Sequence, residues 1–204
     1  MSILLIYSGY KYRYLGLYLL SLTTTLASIL IIIHIYVMNI GGWPTTLYKI
    51  FYVLSPIIPM SGSLSVIVLY MQGHRFSNHL FRIFSAYYLI IYVSLAILTI
   101  SLPLKSFLLG VTHIGLVAFP THIRLLHSMI TIPSSAILLF IPIYGFTRRN
   151  GYVDGIFISI STAIVLSAII FLELGAIGLT HLAGMFSALG YLIAVILMIR
   201  RLGR

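Results

Sequence analysis

The side chains able to do chemistry are few enough to follow one by one. The chain of 204 residues holds seven histidines, two acids and no cysteine. Without cysteine, disulfides, iron–sulfur ligation and thiolate zinc sites are excluded. Asp154 lies in a short polar stretch and reads as an ordinary loop acid, whereas Glu173 closes a long apolar run. Five histidines, His34, His113, His122, His127 and His181, fall where the topology derived below places one membrane level, and Glu173 falls at similar depth. His74 and His79 fall on the opposite side. An ionisable group at membrane depth is costly and marks a functional candidate whose partner must be named. For Glu173 the partners by depth are His181, His127 and Arg124.

Those residue types permit three kinds of chemistry. His113, His127, His181 and Glu173 offer neutral imidazoles and one carboxylate, a donor set that can hold Zn²⁺ or another divalent metal with a position open to water. With such a metal, Glu173 is the candidate catalytic general base of a zinc-dependent membrane hydrolase. Two imidazoles on facing helices, drawn from His34, His127 and His181, can instead clamp the iron of haem b. The cluster can also be a protonatable surface that meets lipid headgroups or neutralises Glu173. The spacing selects none of these. No H-E-x-x-H motif is present, and although His113 and His127 stand 14 residues apart, Pro120 and Arg124 lie between them.

The elements that must position these side chains follow from composition. Hydrophobic residues make up 61% of the chain and charged ones 7%, with a mean hydropathy of +1.15. Soluble domains carry about 25% charged residues, so this chain cannot cover a water-exposed globule. A bilayer core requires about 20 apolar residues per helix, and six runs qualify: 14–38, 50–72, 85–104, 125–146, 155–174 and 181–199. Breakers separate them, among them Gly41-Gly42-Trp43-Pro44 and Thr147-Arg148-Arg149-Asn150-Gly151. None alternates as a barrel strand would. The fold class expected is an all-α integral membrane protein, a single transmembrane domain over 1–204 built as a six-helix bundle.

Charge orients the bundle. With the N-terminus inside, Lys11, Arg13, Arg75, Arg82, Arg148, Arg149, Arg200, Arg201 and Arg204 fall inside, and Lys49, Lys105 and Arg124 outside. That bias, the same in sign at every loop, is the positive-inside pattern of a multi-pass protein of the cell (plasma) membrane with both termini cytoplasmic. It also accounts for the net charge of +10 without nucleic acid as a partner. The first 14 residues lack the order of a cleaved signal peptide. The stretch 106–120, within an outer segment 105–124, is apolar but too short to span, and is expected as an outer interfacial or re-entrant helix.

Small and polar residues mark the inner faces of such a bundle: Ser21, Thr24, Thr25 and Ser28 in the first span, Ser61, Gly62 and Ser63 in the second, Ser134 and Ser135 in the fourth. Gly184 and Ala188, with Ala183 and Ser187, form a small-xxx-small face in the sixth. Trp43 and tyrosines 7, 10, 12, 14, 36, 48, 70, 144 and 152 cluster at span ends as an interfacial aromatic belt. The excess of Ile and Tyr without Cys is a thermophile-like, archaeal-like usage.

The order of elements resembles a known group. A Gly41-Gly42-x-Pro44 loop follows the first span and a small-residue second span follows the loop. Pro103 ends the third span, His127 opens the fourth, an Arg148-Arg149 turn follows, and the chain closes on Arg200-Arg201. This is similar to the small six-span membrane proteins, common in archaea, of the domain-of-unknown-function 998 family. That resemblance implies a six-span fold and assigns no activity. Three functional readings stand: a non-catalytic subunit or partner of a larger membrane assembly, a membrane protein that binds haem b or a divalent metal through the outer histidines, and a small transporter, for which kinked helices and a buried Glu speak.

Overall fold

The computed structural model describes residues 1–40, 43–71, 75–102, 119–148, 152–173 and 177–204, without the side chains of Met38, Arg75, Phe76, Arg148, Phe171, Leu172, Glu173, Ile177 and His181. These residues form α1 (Ser2–Tyr12), α2 (Leu15–Ile40), α3 (Thr45–Leu54), α4 (Ile57–Tyr70), α5 (Arg75–Ser101), α6 (Thr121–Arg148), α7 (Val153–Glu173) and α8 (Ile177–Leu202). Six segments are long and apolar enough to cross a bilayer: Leu15–Val37, Thr45–Tyr70, Ser77–Ser101, Thr121–Thr147, Val153–Ile170 and Gly178–Leu202. The chain is thus an all-α integral membrane protein, a six-helix bundle. In this description, the end of the bundle holding the start of α2 and the finish of α8 is the near end, and the opposite one the far end.

The spans overlap the apolar runs, and all but the first start earlier. The third reaches back over Ser77, His79 and Arg82, and the fourth over Thr121, His122 and Arg124, because a helix continues through polar turns wherever those turns reach the interface. Thr121–Arg124 therefore belongs to α6 instead of the outer segment, and residues 105–118 of that segment lie outside the described residues.

Residues 2–12, whose apolar stretch is too short to register as a span, form an additional helix. Arg13, in the left-handed region at φ 55°, ends α1 and donates its N–H to the Gly9 carbonyl. The chain then doubles back, so that α1 lies antiparallel along α2. The Ser2 and Thr24 hydroxyls meet at 2.7 Å, and Gly9 lets the Tyr18 ring approach so closely that a Cβ there would sit 3.3 Å from it. Nine residues of α2 separate Leu15 from Thr24, so α1 reaches about 14 Å along the span.

The central helix is α4. It packs against α2 on one side and α6 on another and also meets α5; α7 packs on α6, and α8 on α7. Lipid tails are as apolar as leucine, so close approach and hydrogen bonding must hold such helices together. A Cβ on Gly16 would lie 2.6 Å from Leu69 Cγ, and the Gly16 carbonyl accepts from the buried Ser65 hydroxyl at 2.8 Å. Thr23 and Ser61 join at 2.8 Å. The Tyr88 hydroxyl shares hydrogen bonds with Ser63 at 3.2 Å and Ser134 at 2.9 Å, tying α5 to α4 and α6.

Proline supplies the freed carbonyls expected of kinked spans, and those freed by Pro133, Pro56 and Pro59 find donors. Pro133 has no N–H for the Met129 carbonyl, and the Tyr87 hydroxyl of α5 fills the place at 2.8 Å. Pro56 likewise frees the Tyr52 carbonyl, which accepts from Ser55 Oγ at 3.3 Å. Pro59 frees the Ser55 carbonyl, which accepts from the Ile58 N–H.

Three expectations about faces are corrected. Thr25 and Ser28 are exposed instead of lining the bundle; their hydroxyls return to carbonyls of their own helix. Ser187 and Gly190 face α7, which leaves Gly184 and Ala188 exposed. Trp43, Tyr48 and Tyr70 are no part of an interfacial belt: they are core residues, whereas Tyr7, Tyr10, Tyr36 and Tyr144 are exposed as a belt requires.

Candidate functional site

Two clusters of chemistry-bearing side chains lie at opposite ends of the bundle. The far-end cluster begins with α2, whose last turns carry His34. Trp43 precedes the Pro44 that opens α3 in extended conformation, and α3 then presents Tyr48 and Tyr52 inward one turn apart. Phe119 and α6 close the other side. The rings form a continuous chain: His34 to Trp43 at 6.1 Å, Trp43 to Tyr48 at 5.8 Å, Tyr48 to Phe119 at 5.1 Å, Phe119 to Tyr52 at 4.2 Å, and Tyr52 to His127 at 4.8 Å. His34 and His127 thus share an end of the bundle, with four aromatic rings between them.

His127 is fixed by the break between α3 and α4. Ser55 Oγ donates to the Tyr52 carbonyl, so its contact of 3.1 Å with His127 is accepted from Nε2–H. That tautomer, assigned from the network, leaves Nδ1 with a lone pair; iron or zinc on His127 would take that nitrogen. His122, in the first turn of α6, is exposed. His113 lies outside the described residues, as do the side chains of Glu173 and His181. Among the described residues no group of three or more His, Cys, Asp or Glu comes close enough to hold a metal ion.

What this end does hold is hydrogen-bond donors. The Trp43 Nε1, Tyr48 hydroxyl, Tyr52 hydroxyl and Arg124 Nε are buried and have no partner among the described residues. Indole and guanidinium nitrogens only donate. A group able to complete this set must therefore accept, and Arg124 favours one carrying negative charge. Lys49 is occupied elsewhere: its ammonium binds the Ile100 and Leu102 carbonyls at the end of α5, where a cation complements the helix dipole.

The near-end cluster corrects the reading of Asp154. It is no loop acid but a residue of the first turn of α7, buried in the bundle. Gly145 of α6 and Gly155 of α7 make a notch for the Tyr70 ring, since a Cβ on either would lie 3.0 to 3.1 Å from it. From that notch the Tyr70 hydroxyl donates to Asp154 Oδ2 at 2.8 Å. Arg201, in the last turn of α8, donates to Oδ1 at 3.0 Å. Its guanidinium also covers the Tyr152 ring at 3.9 Å. The carboxylate stands at a helix N-terminus and the guanidinium at a helix C-terminus, so both dipoles favour the charges they meet. Here α4, α7 and α8 are joined through a single carboxylate.

Sequence reasoning missed this pair because its members are 47 residues apart. A signal was available. Asp154 is one of only two acids in a chain with 12 basic residues, and it sits at the threshold of a span, where a buried charge needs a partner. Comparison of the chain with family models, with curated proteins and with solved structures gives no match.

Proposed function

We propose that the chain is a non-catalytic partner in a larger membrane assembly, held in the cell membrane with both termini cytoplasmic, and that it meets another subunit through α8. The observation that carries this reading is Gly184. A Cβ built there meets nothing within 4 Å, and Ala188, one turn on, is exposed beside it. Small residues on a membrane helix let a second backbone approach closely. In α8 one set, Ser187 and Gly190, serves α7, and this second set meets no other helix among the described residues. Exposed Leu182, Met185, Leu189 and Leu192 flank it with side chains that a partner helix can interlock. Orientation is supported by the nine basic residues that the charge pattern of the sequence assigns to the inside.

A chain without cysteine gives a clean test. Gly184→Cys or Ala188→Cys introduces a unique thiol, and a maleimide-linked benzophenone attached to it in native membranes should, on illumination, insert into a C–H bond of a partner of different mass. Leu89→Cys, on the exposed face of α5, should give no such product. Equal coupling from both faces refutes the reading. A product of twice the mass of the chain assigns the face to a second copy and also overturns it.

A second reading rests on the far-end donors. Four buried donors without an acceptor among the described residues favour a bound anionic or carbonyl-bearing group at that end, over which the assembly reading has no claim.

A further inference from the structure

We infer that the elbow between α1 and α2 binds the phosphate headgroup of an anionic phospholipid. An open groove of about 510 Å³ lies there, lined by Tyr10, Lys11, Arg13, Leu15 and Tyr18. Two cations and two phenols thus surround one space. Neither cation has a carboxylate: among the described residues the one ion pair is Arg201 with Asp154, and the other acid of the chain, Glu173, closes α7 toward the far end. The groove is a site with positive charge and hydrogen-bond donors and nothing of its own to neutralise them.

Its depth and its flanks select a lipid over a free anion. Lys11 and Arg13 immediately precede Leu15, the first residue of a span, which is the level of lipid phosphates and of interfacial aromatic residues. Leu15, Tyr18 and Leu22 are exposed along one stripe of α2, and Tyr10, Tyr7 and Ile3 along one stripe of the antiparallel α1. Both stripes run from the groove toward the middle of the bundle. Acyl chains can lie along them while Lys11, Arg13 and the tyrosine hydroxyls hold the phosphate. The elbow is a fixed turn, closed by the Arg13 and Tyr14 N–H groups on the Gly9 carbonyl, so the cations project from a set backbone instead of a loose tail.

The test uses the full chain purified in detergent and mixed with equal phosphatidylglycerol and phosphatidylcholine, with retained lipid counted by native mass spectrometry. The wild type should retain phosphatidylglycerol in preference. Lys11→Gln with Arg13→Gln should lower that retention on the order of tenfold. Lys11→Arg with Arg13→Lys should keep it, which carries the test if the neutral variant folds poorly. Arg82→Gln with Arg200→Gln removes the same charge from exposed positions outside the groove and should change nothing. Leu22→Asn, which interrupts the apolar stripe and spares the cations, should lower retention severalfold. No preference for phosphatidylglycerol, or an equal fall in the Arg82/Arg200 variant, overturns the site. Displacement by inorganic phosphate, or unchanged retention in Leu22→Asn, assigns the groove to a free anion and overturns the lipid.

Discussion

Arg201→Met isolates the Asp154 carboxylate inside the bundle. In the wild type the two charges lie 3.0 Å apart, and at an effective dielectric of 20 a pair at that distance attracts by about 5.5 kcal/mol. The Arg201 side chain keeps 22% of its surface exposed and that of Asp154 4%, so solvent screens part of the attraction and the coupling should be about 2 kcal/mol. Methionine fills the space of the arginine stem but leaves the carboxylate with only the Tyr70 hydroxyl, and stranding a buried charge costs about 3 kcal/mol. Asp154→Asn leaves the cation instead. The partly exposed guanidinium can extend to water while its stem stays on Tyr152, so this variant should cost about half as much. Unfolding in mixed micelles by titration with dodecyl sulfate, followed by fluorescence of the single tryptophan, gives each free energy; the double variant closes the cycle. Two results would refute the reasoning: Arg201→Met within about 0.5 kcal/mol of wild type, or Asp154→Asn the costlier of the two.

Two further outcomes can be read by the same titration. Gly190→Val should cost about 2 kcal/mol, since a Cβ there would clash with Ser161 Oγ and the added methyls would crowd the α7–α8 contact, whereas Gly184→Val should leave the monomer in detergent unchanged; equal costs would show that α8 packs by another face. Tyr48→Phe and Tyr52→Phe remove hydroxyls that have no partner among the described residues, so each should be neutral or stabilise the ligand-free protein by up to about 1 kcal/mol. A clear loss of stability in either would show that an acceptor already occupies the far end.

Membrane architecture is written into this chain more plainly than its sites. Six spans are legible because a bilayer imposes the same local requirement on every turn of each span, and runs of Ile, Leu and Val meet it without reference to the rest of the chain. The additional helix α1 is not legible, because its place depends on Gly9 meeting the Tyr18 ring across the Arg13 turn. The far-end histidines were visible by depth, but depth is one coordinate. The other two place four aromatic rings between His34 and His127, and they set Ser55 against His127 across 72 residues of chain. Asp154 reads as a loop acid beside Asn150 and Gly151, and becomes a buried anion only once α4 and α8 bring Tyr70 and Arg201 to it. Trp43 shows the same limit: next to Gly42 and Pro44 it has the setting of an interfacial anchor, and the turn of the chain into α3 carries it into the core.

The central position of α4 has a consequence for how the bundle is made. Its hydroxyls at Ser61 and Ser65 bond to α2, which enters the membrane before it, and the hydroxyl at Ser63 bonds to Tyr88 of α5, which enters next. Each serine hydroxyl on the most enclosed helix thus meets its interhelical partner from the span synthesised just before or just after, and the Tyr70 hydroxyl is the one that waits for Asp154 of α7. Tyr88 follows Ser63 by 25 residues, so Ser63 waits a few seconds for it at about 5–20 residues per second. A chain stopped after α5 already has the interhelical partners of the three α4 serines, and α6, α7 and α8 can then be added to a core in which only the Tyr70 hydroxyl still awaits its acceptor.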